Sequence, residues 1–159
     1  MKTIQNIQVA VDAIVFGYNK TDGVSILLIQ RKYDPFKGCW AIPGGFVLDD
    51  ESLEQAVERE LREETGVSIN YLEQLYTFGD PGRDPRQRII SVSFFGLVKS
   101  SQYRQLKATT DARDARWFSF KNLPELAFDH KKILQVAIER LRNKIVYQPI
   151  GFELLDKKF

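Results

Sequence analysis

The N-terminal part of the chain contains two runs that are rich in β-branched and other apolar residues. These runs, 9–16 and 25–30, are separated by the turn-forming stretch 19–23, Asn-Lys-Thr-Asp-Gly. Strand-forming residues on both sides of such a stretch are typical of a β-hairpin. Residues 71–78 and 89–98 have a similar composition. The pattern therefore predicts a β-sheet that includes an N-terminal hairpin.

Two other segments carry apolar residues at helical spacing. In the first, 52–65, Ser52 and Gln55 form the signature of a capping box, and Gly66 follows in the place of a C-terminal cap. In the second, 129–144, the apolar side chains share one face, which predicts an amphipathic helix packed on the sheet. Strands interrupted by two helices predict an α/β protein.

The length of the chain favours a single domain. A chain of 159 residues is long enough to bury one proper core. A further short strand is predicted at 115–118, before the second helix. We expect residues 1–159 to form one domain, and we leave open that the less regular tail, 145–159, is a truncated lead into a further domain.

The composition of the chain limits the classes of partner that it is expected to bind. The net charge of +2 is too small to indicate a nucleic acid or a membrane surface. No apolar run approaches the roughly 20 residues that cross a bilayer, and the N-terminus lacks the features of a secretory signal. The single cysteine, Cys39, excludes an internal disulfide and a cysteine-cluster metal site. We expect a cytoplasmic protein that does not contact membranes.

Three glutamates of the first helix lie where apolar side chains are expected. At about 100° per residue, Glu60 and Glu64 fall in the middle of the apolar arc and Glu63 lies at its edge. Adjacent buried carboxylates are costly without a positive partner, so we expect a divalent cation between them. Oxygen ligands favour Mg²⁺ or Mn²⁺. The alternative is a solvated helix face, which is the common role of glutamates at this spacing.

A longer pattern around this helix resembles the Nudix box, GX5EX7REUXEEXGU, in which U is apolar. Gly45, Glu51 and residues 59–67, RELREETGV, match the box at every specified position. The resemblance extends over most of the chain, since the other predicted elements follow the order found in that family. It implies a three-layer α/β/α sandwich with a mixed central sheet. It also implies an enzyme that hydrolyses a nucleoside diphosphate linked to another moiety.

The resemblance implies roles for residues of the box. The metal ligands that it implies are Glu60, Glu64, Glu63, Glu51 and the backbone carbonyl of Gly44. Arg59 resembles the arginine that orients a box glutamate through a charge-assisted hydrogen bond. The general base stays open between a box glutamate and an acid of a later loop, Asp111 or Asp114. We favour Asp111, although a solvated aspartate is a comparable interpretation.

Segments outside the box resemble the branch of the family that contains bacterial ADP-ribose pyrophosphatases. These segments, 76–86 and 127–130, favour ADP-ribose as the substrate, with AMP and ribose 5-phosphate as products. Arginine binds phosphate oxygens bidentately, and the candidate phosphate or ribose contacts are Arg31, Arg83, Arg86 and Arg88. Phe36 or Trp40 is a candidate for stacking on adenine. A structural or solvent-facing role stays open for each, and His130 is interpreted as a capping or packing residue.

Two other functions stay open. The same flanking segments resemble the Nudix domain of bacterial transcriptional regulators, which senses ADP-ribose or a sugar metabolite and is followed by a winged helix. Too few residues follow the second helix for a winged helix, so we expect no nucleic-acid binding by this chain alone. The second alternative is a pyrophosphohydrolase of nucleoside triphosphates or dinucleotides. The complete box favours an enzyme, and the resemblance suggests a homodimer.

Overall fold

The structure, a computed structural model, describes residues 1–69, 71–108 and 111–147. In chain order its main elements are β1 (Gln8–Asn19), β2 (Gly23–Arg31), β3 (Trp40–Ala41), β4 (Gly44–Phe46), α1 (Leu53–Thr65), β5 (Glu73–Phe78), β6 (Ile89–Lys99), β7 (Ala112–Ser119) and α2 (His130–Tyr147). Two short 3₁₀ turns, Ser100–Tyr103 and Phe120–Asn122, flank β7 in the chain. Within these described ranges, no helix has the length and the hydropathy that a membrane crossing requires.

The strands form one mixed sheet. β1 and β2 pair antiparallel, from Phe16 opposite Ile26 to Asn19 opposite Gly23, which confirms the predicted hairpin. β1 also pairs with β6, and this pairing is parallel and runs without a shift in register. The main path of the sheet is β3-β2-β1-β6-β5, while β4 pairs with β1 and β7 pairs with β2. β1 is therefore the strand around which the sheet is built.

One helix covers each face of the sheet. Side chains alternate between the faces of a strand, and β1 shows this alternation clearly. On one face, α1 contributes Ala56, Val57 and Leu61 to a core cluster with Val11, Ala13 and Val15. On the other face, α2 contributes Ile133, Leu134 and Ala137 to a core cluster with Ile14 and Phe16. These two cores confirm the three-layer α/β/α architecture.

The ends of α1 are set by local sequence, as predicted. The Ser52 hydroxyl accepts the N–H of Gln55 at 3.1 Å, and the Gln55 side chain accepts the N–H of Ser52 at 2.8 Å. Gly66 ends the helix with a left-handed backbone, φ 75°, a conformation that glycine adopts without strain. These caps set the register of the glutamates along the helix.

A tight approach of backbone to backbone places α1 beside β1. β4 pairs with β1 so that Gly44 lies opposite Asp12. A Cβ atom on Gly44 would lie 2.2 Å from the carbonyl oxygen of Val11, so no larger residue fits. The bend before α1 therefore lies directly on the edge of β1.

Some elements differ from the predicted ones. β3 and β4 were not predicted, because two or three residues are too few to show an alternating pattern. β7 extends over 112–119, where the predicted strand covered only 115–118. The segment 148–159 of the tail lies outside the described residues. The expectation of one domain over 1–159 therefore stays a prediction, and the alternative of a tail that leads into a further domain stays open.

Candidate active site

A cavity of about 340 Å³ opens where β1, β2, the 42–46 bend and α1 meet. Its acidic lining residues are Asp12, Asp34, Glu60, Glu64, Asp84 and Asp111. Its arginines are Arg31, Arg83 and Arg86. A cavity with both charge types can hold a cation on its carboxylates and an anion on its guanidinium groups.

Glu64 is the most deeply buried of the box glutamates. Only 6 % of the residue is exposed, and its Oε2 accepts the backbone N–H of Gly44 at 3.0 Å. Burial raises the pKa of Glu64 to about 8, and the charges of Glu60, Asp111 and Asp12 add to this effect. Such a carboxylate is ionised at neutral pH only if a positive charge joins it.

Glu60 faces the same cavity from the previous turn of α1. A Cβ atom on Gly45 would lie 2.4 Å from its Oε1, so the glycine makes room for the carboxylate against the bend. Burial raises the pKa of Glu60, although the hydrogen bond from Arg59 opposes this shift. The half-buried Glu60 and the buried Glu64 therefore form a pair of oxygen donors at the cavity.

Arg59 donates hydrogen bonds to the carboxylates of the other three box glutamates. Its guanidinium group donates to both oxygens of Glu51, at 2.6 and 2.9 Å, and to Oε1 of Glu60 at 2.7 Å. It also donates to the carbonyl of Phe46 at 3.0 Å and more distantly to Glu63, at 3.3 Å. These hydrogen bonds hold the pKa of Glu51 down, at about 2. Arg59 thus ties α1 to the segment that precedes it.

The structure divides the predicted metal ligands into two groups. Gly44, Glu60 and Glu64 line the cavity, whereas Glu51 and Glu63 point their carboxylates at Arg59. In the part of the chain that the structure describes, no three His, Cys, Asp or Glu side chains are clustered tightly enough to form a metal site by themselves. The full ligand set therefore stays a prediction.

The two candidate bases lie in different surroundings. Asp111 lines the cavity, and its carbonyl accepts the N–H of Lys32 at 3.3 Å. Asp114 instead pairs with Arg116 at 2.7 Å on β7. Of the two loop candidates, only the preferred Asp111 is thus brought to the cavity, where the box glutamates Glu60 and Glu64 also lie.

Arg31 and Arg86 meet over one aromatic ring. The guanidinium carbons of Arg31 and Arg86 lie 4.8 and 5.5 Å from the centroid of the Phe128 ring. Arg31 is held by a hydrogen bond from Nε to the carbonyl of Pro35 at 2.7 Å. Burial and the charge of Arg86 lower the pKa of Arg31. Arg86 also donates to both carboxylate oxygens of Asp84, at 2.7 and 3.0 Å. Two adjacent guanidinium groups that face a cavity still favour an anionic ligand such as a phosphate group.

The other predicted substrate contacts are placed differently. Arg83 lines the cavity, but its guanidinium group is bound by Asp129 at 2.7 and 2.9 Å. Arg88 donates to Gln5 at 3.1 Å and is not among the lining residues.

The two predicted stacking residues, Phe36 and Trp40, also lie outside the lining. The ring of Phe36 packs 4.8 Å from that of Phe128, which does line the cavity. Trp40 packs edge-on against Phe118, at a centroid distance of 4.7 Å, and β3 places its partly buried ring against the core cluster that α2 shares. The structure therefore does not bring either candidate to the cavity wall, and stacking on adenine stays a prediction.

Several lining residues were not singled out from the sequence. Asp12 is buried in β1, where its Oδ2 accepts the Ser91 hydroxyl and its Oδ1 lies 3.7 Å from Nε2 of His130. His130, interpreted as a capping or packing residue, is buried and lines the cavity. A lone aspartate within the apolar run 9–16 is a signal that could have pointed to Asp12. Phe46 and Phe128 carried no comparable signal.

The fold and the box define a family. A model of the NUDIX domain matches residues 6–137 of the chain. The chain belongs to the NUDIX family.

Two curated relatives and one solved structure refine this comparison. An ADP-ribose pyrophosphatase of Methanocaldococcus jannaschii is 48% identical over 80% of this chain and 70% of that protein. The ADPR-responsive transcriptional repressor NtrR of Acinetobacter baylyi is 36% identical over 94% of this chain, which spans only 60% of the repressor. The NUDIX domain of Shewanella oneidensis NrtR, solved with ADP ribose, superposes with a TM-score of 0.79 at 36% identity, over 87% of this chain and 90% of that one.

Proposed function

We propose that the protein hydrolyses ADP-ribose to AMP and ribose 5-phosphate with Mg²⁺ or Mn²⁺ as cofactor. The observation that carries the proposal is the cavity that brings together Glu60, the buried Glu64 and the adjacent arginines Arg31 and Arg86. The similarity to an ADP-ribose pyrophosphatase at 48% identity supports this substrate. ADP-ribose has two linked phosphates. These can contact both a cation held by the carboxylates and the guanidinium groups of the cavity.

The carboxylates at the cavity fit a hard divalent cation. Glu64 is buried with a pKa of about 8, and Gly45 leaves space beside Glu60 that a Cβ would fill. Glu60, Glu64 and the carbonyl of Gly44 would hold the metal, with Glu51 and Glu63 as further ligands. A bound Mg²⁺ or Mn²⁺ offsets negative charge on phosphate oxygens and lowers the pKa of water.

Arg59 and the caps of α1 keep the carboxylates in place. The bidentate contact with Glu51 and the hydrogen bond to Glu60 restrict the rotation of both side chains. Oriented ligands cost less entropy when they bind, and the partners that orient them typically affect metal affinity by 10- to 100-fold. Arg59 is thus a positioning residue for Glu60.

Asp111 is the proposed general base. Its carboxylate takes a proton from the attacking water, while the water oxygen forms a bond to phosphorus and the bridging P–O bond breaks. The leaving phosphate departs with the electron pair of that bond. Arg31 and Arg86 bind phosphate oxygens and hold the phosphorus in position for in-line attack. Phe128 and Phe46 support the two guanidinium groups with their ring faces.

The test is release of AMP from ADP-ribose by the purified protein with Mg²⁺, compared with Glu64→Gln and with an EDTA control. We expect rapid release that EDTA abolishes and that the variant slows by about 10³-fold in kcat. Glu58→Gln is the matched control, because Glu58 is exposed on the same helix. Retention of activity by Glu64→Gln would contradict the ligand assignment. Faster turnover of an oxidised dGTP, or of a dinucleotide, would contradict the substrate.

The second candidate function is ADP-ribose sensing as part of a transcriptional regulator. The repressor NtrR matches 94% of this chain at 36% identity and favours this possibility. A regulator predicts tight binding of ADP-ribose without turnover in the same assay. The intact box supports the enzyme. We also propose a homodimer in the cytoplasm, and gel filtration with light scattering tests the dimer.

A further inference from the structure

His130 is buried at the point where α2 meets the 42–45 bend. It is the only histidine of the sequence, and it is the first residue of α2. Its Nδ1 accepts the backbone N–H of Ile42 at 3.0 Å, and its Nε2 lies 3.7 Å from Oδ1 of Asp12. A nitrogen that accepts an N–H carries no proton, so the proton of the neutral ring lies on Nε2, towards Asp12.

The bend that His130 contacts is the backbone of the carboxylate site. Ile42 is followed by Pro43, whose carbonyl accepts the N–H of Ala13 at 2.8 Å. Gly44 then donates its N–H to Glu64, and Gly45 lies against the carboxylate of Glu60. A shift of the bend at Ile42 therefore moves Gly44 and Gly45, the residues that contact the carboxylates of the two glutamates.

We propose that His130 is a positioning residue for the metal-binding carboxylates, acting through its Nδ1 acceptor on Ile42, which fixes the 42–45 bend. The inference rests on the proposed function only in requiring that Glu60 and Glu64 bind a divalent metal. Burial lowers the pKa of His130, which keeps the ring in the neutral form that the contact needs. The contrasting explanation is that the ring only fills space between α2 and the sheet.

Two substitutions separate the two ring nitrogens. His130→Asn places an amide oxygen near the position of Nδ1, so it keeps an acceptor for Ile42 and loses the group that faces Asp12. His130→Gln reaches towards the position of Nε2 and leaves Ile42 without its acceptor. Leu141→Ala is the control, because Leu141 is buried eleven residues further along the same helix and its truncation loosens α2 without removing the acceptor of Ile42.

The first readout is Mn²⁺ affinity, measured from the electron paramagnetic resonance signal of free Mn²⁺ without any substrate. We expect His130→Gln to weaken the affinity by about 10-fold, the lower end of the range for groups that orient ligands. His130→Asn should restore it to within about 3-fold of the wild type, on the basis of the retained acceptor. Equal affinity of the two variants, or a loss in Leu141→Ala as large as that in His130→Gln, would overturn the proposal.

The second readout is nuclear magnetic resonance of the metal-free protein. With one histidine, ¹⁵N labelling gives a single pair of ring nitrogens, and we expect the shifts of a protonated Nε2 and an unprotonated Nδ1. The Ile42 amide should be protected from hydrogen exchange in the wild type and in His130→Asn but not in His130→Gln. A proton on Nδ1 would overturn the proposal. If these results are obtained but the protein does not hydrolyse ADP-ribose, the proposed function is contradicted and the positioning role of His130 stands.

Discussion

Replacement of Glu64 by glutamine removes a carboxylate that destabilises the metal-free protein. Burial raises the pKa of Glu64 from an ordinary value of 4.5 to about 8. The folded state therefore binds this proton more tightly than the unfolded state does. The resulting stability is present at acidic pH and is lost as the pH rises from the unfolded pKa through the folded one.

The size of the effect follows from these two pKa values. For one group that titrates at 4.5 when unfolded and at about 8 when folded, the free energy of unfolding falls by about 4 kcal/mol between pH 5 and pH 9. Glutamine has nearly the same shape and no charge, and its side-chain oxygen can still accept the N–H of Gly44. Glu64→Gln should therefore lack this part of the pH dependence. The lowered pKa of the buried His130 affects both proteins equally, so it cancels in the difference.

The assay is urea unfolding in EDTA at several pH values, followed by the fluorescence of the two tryptophans. The difference in free energy of unfolding between Glu64→Gln and wild type should grow from pH 5 to pH 9. A constant difference across this range would refute the argument that burial keeps the carboxylate protonated. Added Mn²⁺ at 100 times its dissociation constant should stabilise the wild type by about 2.7 kcal/mol and the variant far less.

Two further changes test the other walls of the cavity. Gly45→Ala places a Cβ 2.4 Å from the Glu60 carboxylate, so kcat should fall at least about 100-fold, as is usual when catalytic geometry is displaced. Gly79→Ala meets only ordinary contacts and should keep its activity, and equal activity of the two variants would contradict the steric argument. Arg31→Lys loses the bidentate donor and should raise KM for ADP-ribose by about 10-fold with a smaller change in kcat. The exposed Arg113→Lys is its control, and an unchanged KM in Arg31→Lys would show that Arg31 does not bind substrate.

The helix of glutamates could be predicted almost completely from the sequence because its determinants are local. The capping residues Ser52 and Gln55 and the terminal Gly66 lie within one turn of the helix ends, and all three act as predicted. Helical spacing alone then placed Glu64 on the buried side of α1, where the structure also has it. Glu60 is only half-buried, since it shares its carboxylate with Arg59.

The opposite wall of the cavity depends on contacts that are distant in sequence. Asp12 and His130 approach each other only because β1 lies in the centre of the sheet and α2 packs on one of its faces. Phe128 has a positive φ of 50°, a conformation that no pattern of apolar residues predicts. Trp40 was a reasonable stacking candidate beside the Gly-Gly turn, but the short strand β3 directs it to the core.

The positive partners of the box glutamates also explain why Glu64 is the most informative position to change. Arg59 forms ion pairs with Glu51, Glu60 and Glu63 but not with Glu64. The partner that the structure gives Glu64 is a backbone N–H, which offsets much less of the cost of a buried charge than a cation does. A metal therefore improves the environment of Glu64 more than that of any glutamate already bound to Arg59. The same reasoning predicts that metal affinity falls most when Glu64 is replaced. It should fall least when Glu63 is replaced, because Glu63 is the most exposed of the four side chains, at 41 %.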